Sequence, residues 1–147
     1  KTAYERGVRL VGSEMCIRDR VGHPCQRYEN ISNWVLNILN VFTIDKVYLE
    51  DYSFGSKGRV FHIAENAGIL KYKLWVSGRT TVDVPPTVVK KCATERGNAT
   101  KEMMYEQFSK ETKVDLMNLV TPDKTKLTNP VTDIVDAYYI CKYGIQH

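Results

Sequence analysis

An α/β fold with parallel strand pairing is the class this sequence predicts, on two observations. Two β-rich segments, TIDKVYLE (43–50) and TTVDV (80–84), are separated by a long helical pattern rather than by a tight turn. Strands joined through a helix pair by a crossover, which makes them parallel neighbours. Elsewhere the hydrophobic spacing follows the helical period, and glycine or proline stands at most changes of pattern.

The elements follow in order. From Gln26 to Asn40, QRYENISNWVLNILN puts Tyr28, Ile31, Val35, Ile38 and Leu39 on one helix face. The strand over 43–50 alternates through Ile44, Val47 and Leu49 and ends at Glu50. DYSFGSKG (51–58) carries two glycines and reads as a loop. A helix is predicted from Arg59 to Val76 on the stripe Val60, Ile63, Ala64, Ala67, Leu70 and Leu74, with Gly78 ending it. After the strand at 80–84, Pro85 and Pro86 open a short helix through Val88 and Val89, because proline suits a first turn. TERGNAT (94–100) is a loop, Lys101 to Thr112 a helix, and 118–129 a polar linker. The last helix takes Asn129 as its N-cap and Pro130 in its first turn, and runs to Tyr143 before Gly144. Two strands cannot cover the apolar faces of five helices, so the fold is expected to be incomplete.

The chain has 147 residues, enough for one core, and its 43% hydrophobic and 26% charged content is ordinary for a soluble domain. No run approaches the roughly 18 apolar residues of a membrane span, so no membrane partner is expected. The net charge of +4 falls to +2 without residues 1–20, which carry five basic and three acidic residues. That balance neither demands nor excludes nucleic acid. Cys16, Cys25, Cys92 and Cys141 show no metal-ligand spacing, nor do His23, His62 and His147. Cys92 and Cys141 sit in apolar stretches and are expected to be buried, as in a reducing cytoplasm.

One stretch stands apart. Residues 13–20, SEMCIRDR, fit neither the helical period nor strand alternation. One codon choice for EMCIRD, GAG ATG TGT ATA AGA GAC, reads as the mosaic end of a transposase-based sequencing adapter in frame. Sequence of that origin lies outside fold reasoning. Residues 1–25 are therefore expected to be a non-native segment, and 26–147 the domain proper.

Three acids stand out by position. Glu50 ends a strand beside a glycine-containing loop, where open α/β sheets place their chemistry. Asp133 and Asp136 are three apart on a helix, so both project from one side. Carboxylates gathered from separate elements are what Mg²⁺ or Mn²⁺ requires, and a pair of such ions can clamp a phosphodiester. Taken singly, the helix acids also suit the macrodipole of a first turn, and Glu50 suits a solvated strand end.

Three segments in order, LEDYSFGSKGRVFHIAENAGILKYKLW, VPPTVVKKCATERGNATKEMMYEQF and NPVTDIVDAYYI, resemble the RuvC-type Holliday junction resolvases, especially their phage-encoded branch. The resemblance runs from Arg27 to Gly144. It implies an RNase H-like fold and a metal-dependent endonuclease that acts as a homodimer on branched DNA, in the host cell cytoplasm if phage-encoded. It places Glu50, Asp133 and Asp136 among the family's four catalytic, metal-binding carboxylates. Lys101 maps to the lysine that closes the G-x-G-N-A-x-K-like loop, a catalytic and DNA-binding position, and Lys90 to the basic position after the PP turn. Lys57, Arg59 and Lys91 add to the phosphate-facing charge. Phe54 matches an aromatic that stacks on an opened base. By residue type alone, these lysines are also ordinary surface residues and Phe54 a packed loop aromatic.

Two departures qualify the resemblance. Glu95 stands where the family has glycine. The fourth acid belongs to a D-x-S-x-T-like first strand, yet residues 1–25 offer only Asp19, without a strand pattern. The first three strands of the sheet are expected to be missing, the fragment to be inactive, and its apolar helix faces to be exposed. A non-catalytic branched-DNA-binding module is the alternative, and a nuclease acting on flaps or forks a third.

Overall fold

The computed structural model describes residues 23–44, 46–51 and 60–147, which form six helices and two strands. The chain divides into two compact units, with described residues up to Asp83 in one and those from Val84 onward in the other. Among the described residues no helix is long and apolar enough to cross a membrane.

The first unit contains α1 (Pro24–Phe42), β1 (Lys46–Glu50), α2 (Val60–Val76) and β2 (Thr80–Val84, whose last residue begins the second unit). Pro24 opens α1 behind the His23 cap, whose imidazole Nδ1 accepts from the Cys25 N–H at 3.3 Å. The strands pair in a two-stranded parallel sheet, as a helical crossover requires. α1 and α2 run in the same direction. Tyr28 Oη donates to Glu65 at 3.0 Å, and further along both helices Lys73 donates to Asn33 at 2.8 Å. Gly78 adopts φ +77°, and its N–H caps the end of α2 by donating to the Trp75 carbonyl at 2.9 Å.

The second unit is a packed set of helices: α3 (Pro86–Thr94), α4 (Lys101–Thr112), α5 (Leu116–Val120) and α6 (Val131–Gln146). α3, α4 and α6 pack against one another in every pairing. Buried Val89 and Ala93 come from α3, Met104 and Phe108 from α4, and Val131, Ile134, Val135 and Tyr139 from α6. The spacing of each set is that of one helix face. Across the α4–α6 seam Phe108 meets Tyr138 edge-on, with ring centroids 5.0 Å apart. Glu111 ties the same seam by accepting from Lys142 at 2.8 Å and from Tyr138 Oη at 3.3 Å. Burial pushes the Glu111 carboxyl up. The hydrogen bonds from Lys142, Gln107 and Tyr138 outweigh it and hold the group below its usual range.

Several sequence expectations need correction. β1 begins at Lys46, and Ile44 lies exposed before it, just after the αL residue Thr43 that ends α1. Ile63, expected in the buried stripe of α2, is exposed, as are Phe61 (79%), Tyr72 and Trp75 (73%). Residues 118–120 belong to α5 rather than to a linker, since Asp115 caps that turn by accepting from the Asn118 N–H at 3.0 Å. Pro130, not Asn129, occupies the cap position of α6 and precedes its first turn. Gly144 does not end α6, which continues to Gln146. Cys92 is half-buried, but Cys141 is exposed on the outer side of α6.

Candidate active site

Both helix acids sit where the last helix begins. Asp133 is in the first turn of α6 and exposed, and the partial positive charge of a helix N-terminus favours a carboxylate there. Asp136 follows one turn later and is half-buried. Their backbone is held by buried neighbours, Thr132, Ile134 and Val135. The Thr132 hydroxyl donates to Asn129 Oδ1 and lies 3.5 Å from Asp133 Oδ1, so the start of the helix is tied to its first acid.

Two lysines lie on the helices that pack against α6. Lys90 follows buried Val89 on α3 and is itself half-buried. Lys101 is the first residue of α4, whose start is fixed by the Thr100 hydroxyl accepting from the Met103 N–H at 3.3 Å. With α3, α4 and α6 packed together, both ammonium groups act on Asp136. Burial pushes the Asp136 carboxyl above its usual range. Lys101 opposes that rise, the charge on Asp133 adds to it, and Lys90 opposes it again. Burial combined with neighbouring charge is a setting in which functional carboxylates are commonly found. Lys91 is exposed next to Lys90, and Arg96 is exposed in the loop leading to α4.

Glu95 caps the end of α3 with φ +61°, a left-handed conformation that costs an L residue about 1–2 kcal/mol. Glycine at this position would carry no such cost, which accounts physically for the glycine expected there.

Glu50 is the last residue of β1, exposed, and belongs to the first unit. Phe54, Lys57 and Arg59 lie outside the described residues. Among the described residues, no group of three or more His, Cys, Asp or Glu side chains is placed to hold a metal ion. The donor chemistry of the acid pair nonetheless suits a hard cation. Mg²⁺ is commonly held by one or two carboxylates, with water and phosphate oxygens completing its shell. Asp133 and Asp136 are the residues that would hold it, and a bound ion would supply Lewis-acid polarisation of a phosphoryl oxygen.

Sequence reasoning singled out both acids and both lysines, and not the two threonines at the starts of α4 and α6. Thr100 carries a readable signal, a capping residue directly before the helical run KEMM. Thr132 carries none, because a buried hydroxyl inside a helix has no spacing signature.

The described elements are six helices and a two-stranded parallel sheet, a mixed α/β chain. The RuvC structure from Thermus thermophilus superposes on this chain with a TM-score of 0.64, at 15% sequence identity, over 85% of this chain and 71% of that one. The shared property at that identity is the fold. No family model matches the chain, and no curated protein matches it by sequence.

Proposed function

We propose that this chain derives from a metal-dependent, structure-selective endonuclease of the RuvC type, phage-encoded branch, that resolves four-way DNA junctions by phosphodiester hydrolysis. The reading is supported by the likeness of the fold to RuvC, together with the position of Asp133 and Asp136 on α6, which packs against the helices that carry Lys90 and Lys101. Asp133, Asp136 and Glu50 are its metal-binding carboxylates for Mg²⁺ or Mn²⁺. Lys90, Lys91, Lys57 and Arg59 grip backbone phosphates, Lys101 offsets charge on the cleaved phosphate, and Phe54 stacks on a base. The intact enzyme works as a homodimer, one subunit for each of two opposed strands.

Residues 1–25 contribute none of this chemistry in the proposal. The resemblance implies four carboxylates and matches three of them here, Glu50, Asp133 and Asp136, so the proposal expects this chain to bind junctions without cutting them at a normal rate. The second reading is a branched-DNA-binding module without nuclease activity. A first strand of D-x-S-x-T type in the upstream coding sequence of an independent assembly would decide for the enzyme.

The functional test uses the expressed chain with a synthetic four-way junction and a linear duplex of equal length. Selective binding of the junction, with no Mg²⁺-dependent cutting, is the expected result. Equal affinity for both DNAs would contradict the proposal of structure selectivity. Robust cutting abolished by Glu50→Gln would show instead that the site is complete.

A further inference from the structure

We propose that Tyr28, His62 and Glu65 form a zinc site that clamps α1 to α2, with water in the remaining position. The site lies within the first unit, uses none of the acids on α6, and does not depend on the nuclease reading.

Three donor atoms from two helices meet there. Tyr28 Oη lies 3.0 Å from His62 Nδ1 and 3.0 Å from Glu65 Oε2, and His62 Nδ1 lies 3.3 Å from Glu65 Oε2. A tetrahedral ion with bonds of about 2.0–2.1 Å holds its ligand atoms about 3.3 Å apart. The triangle has one edge at that length and two slightly shorter. His62 and Glu65 are three apart on α2 and so share a face. Tyr28 is 2% exposed on α1, which packs against α2, so the third donor is fixed before any ion arrives. The His62 and Glu65 side chains are 56% and 57% exposed, which leaves the outer side of the triangle open to water and to an entering ion. The third donor is a tyrosine, so the trio lies outside groups made of His, Cys, Asp and Glu alone.

The donor types select the ion. Mg²⁺ and Ca²⁺ take oxygen ligands, whereas an imidazole nitrogen beside two oxygens suits Zn²⁺. Zn²⁺, a carboxylate and a phenolate together are neutral. The Arg27 guanidinium, 5.5 Å from the centre of the Tyr28 ring, therefore meets no net positive charge. Without metal, hydrogens hold the three atoms together. The Tyr28 hydroxyl donates to Glu65, so the nearby His62 Nδ1 carries a hydrogen of its own. The ion takes the place of these shared hydrogens, which the ligands give up to bind it.

The test titrates the full chain with Zn²⁺ by isothermal calorimetry, in excess Mg²⁺ to occupy oxygen-only sites. One ion per chain is expected. Zn²⁺ at about 100 times its dissociation constant should raise the melting temperature by about 5–10 °C. His62→Gln, Glu65→Gln and Tyr28→Phe should each weaken binding by at least about tenfold, the least cost of losing even an outer-sphere partner. His62 and Glu65 are exposed, and Tyr28→Phe keeps the buried ring, so the fold should survive each change, as circular dichroism checks. If Tyr28→Phe does not fold, the melting shift decides, and a Zn²⁺ gain that persists in His62→Gln overturns the site. Binding undiminished in the variants would place the ion elsewhere, on the exposed Cys25 or Cys141 thiols or on the α6 acids, and overturn the proposal. Binding weakened by His62→Gln and Glu65→Gln but not by Tyr28→Phe would overturn the clamp between the helices. A folded parent chain that takes up no Zn²⁺ would overturn it outright.

Discussion

Phe108→Ala is expected to cost about 3–5 kcal/mol of stability, the usual range for emptying a buried phenylalanine site. The ring is 1% exposed and meets Tyr138 at 87° between planes, a geometry worth about 0.5–1.5 kcal/mol beyond burial alone. It sits in the helix that Lys101 begins, so its loss loosens α4 against α6. A domain of this size has about 5–15 kcal/mol in total. The substitution therefore removes a large share of it. Phe108→Leu keeps most of the volume and should cost less than about 1.5 kcal/mol. Urea denaturation followed by circular dichroism checks both. A cost for the alanine below about 1 kcal/mol would contradict the packing of the α4–α6 seam.

Asp136→Asn is expected to act in two directions at once. Burial, with the charge of Asp133, raises the folded-state carboxyl above its unfolded value. Such a group favours the fold when protonated, below its unfolded pKa, and loses that advantage as pH rises through the folded pKa. Near neutral pH the ionised side chain is thus a cost to the fold. Asparagine removes the cost and should stabilise by about 0.5–1 kcal/mol, held to that size because the group is only half-buried and partly screened. The gain should vanish at acid pH, where the parent carboxyl is already protonated. Divalent-cation affinity should fall in the same variant. Asp133→Asn should lose affinity too, without the gain in stability, because that exposed acid complements the helix N-terminus. Thermal melts from acid to neutral pH, with and without Mg²⁺, separate these outcomes. A loss of stability in Asp136→Asn at neutral pH would show that the acid is held for structural reasons.

Glu111 shows the opposite sign and so provides the contrast. Its carboxyl is held low by Lys142, Gln107 and Tyr138, and its contribution is present above its unfolded pKa and lost as pH falls. One acid of this unit stabilises the fold, and the other is kept at the fold's expense.

How much of this was legible in the sequence depended on how local the cause was. The strand at 80–84 and the helix at 101–112 stand where they were expected, because Pro85–Pro86 and the capping Thr100 act on their immediate neighbours. Residues 118–120 read as the start of a linker because the five residues of α5 are too few to show a helical period, and the Asp115 cap is the local sign of the helix. Gly144 reads as a stop signal, yet α6 continues through it to Gln146. Ile63 has the right spacing for a buried stripe on α2, but spacing does not say whether anything covers that stripe.

The site divides in the same way. The three-residue spacing of Asp133 and Asp136 puts them on one side of a helix whatever the tertiary structure. Whether Lys90 and Lys101 bear on those acids depends on the packing of three helices, which no local pattern encodes.

The account stands or falls on whether Asp133 and Asp136 form a divalent-cation site beside the two lysines. Paramagnetic broadening by Mn²⁺ in a ¹H–¹⁵N spectrum of the chain measures this without any need for catalysis. Substoichiometric Mn²⁺ should selectively erase the amide signals of Asp133, Asp136 and their neighbours and weaken those of Lys90 and Lys101, and Asp133→Asn with Asp136→Asn should abolish the effect. Broadening centred elsewhere, or unchanged by the two asparagines, would contradict it.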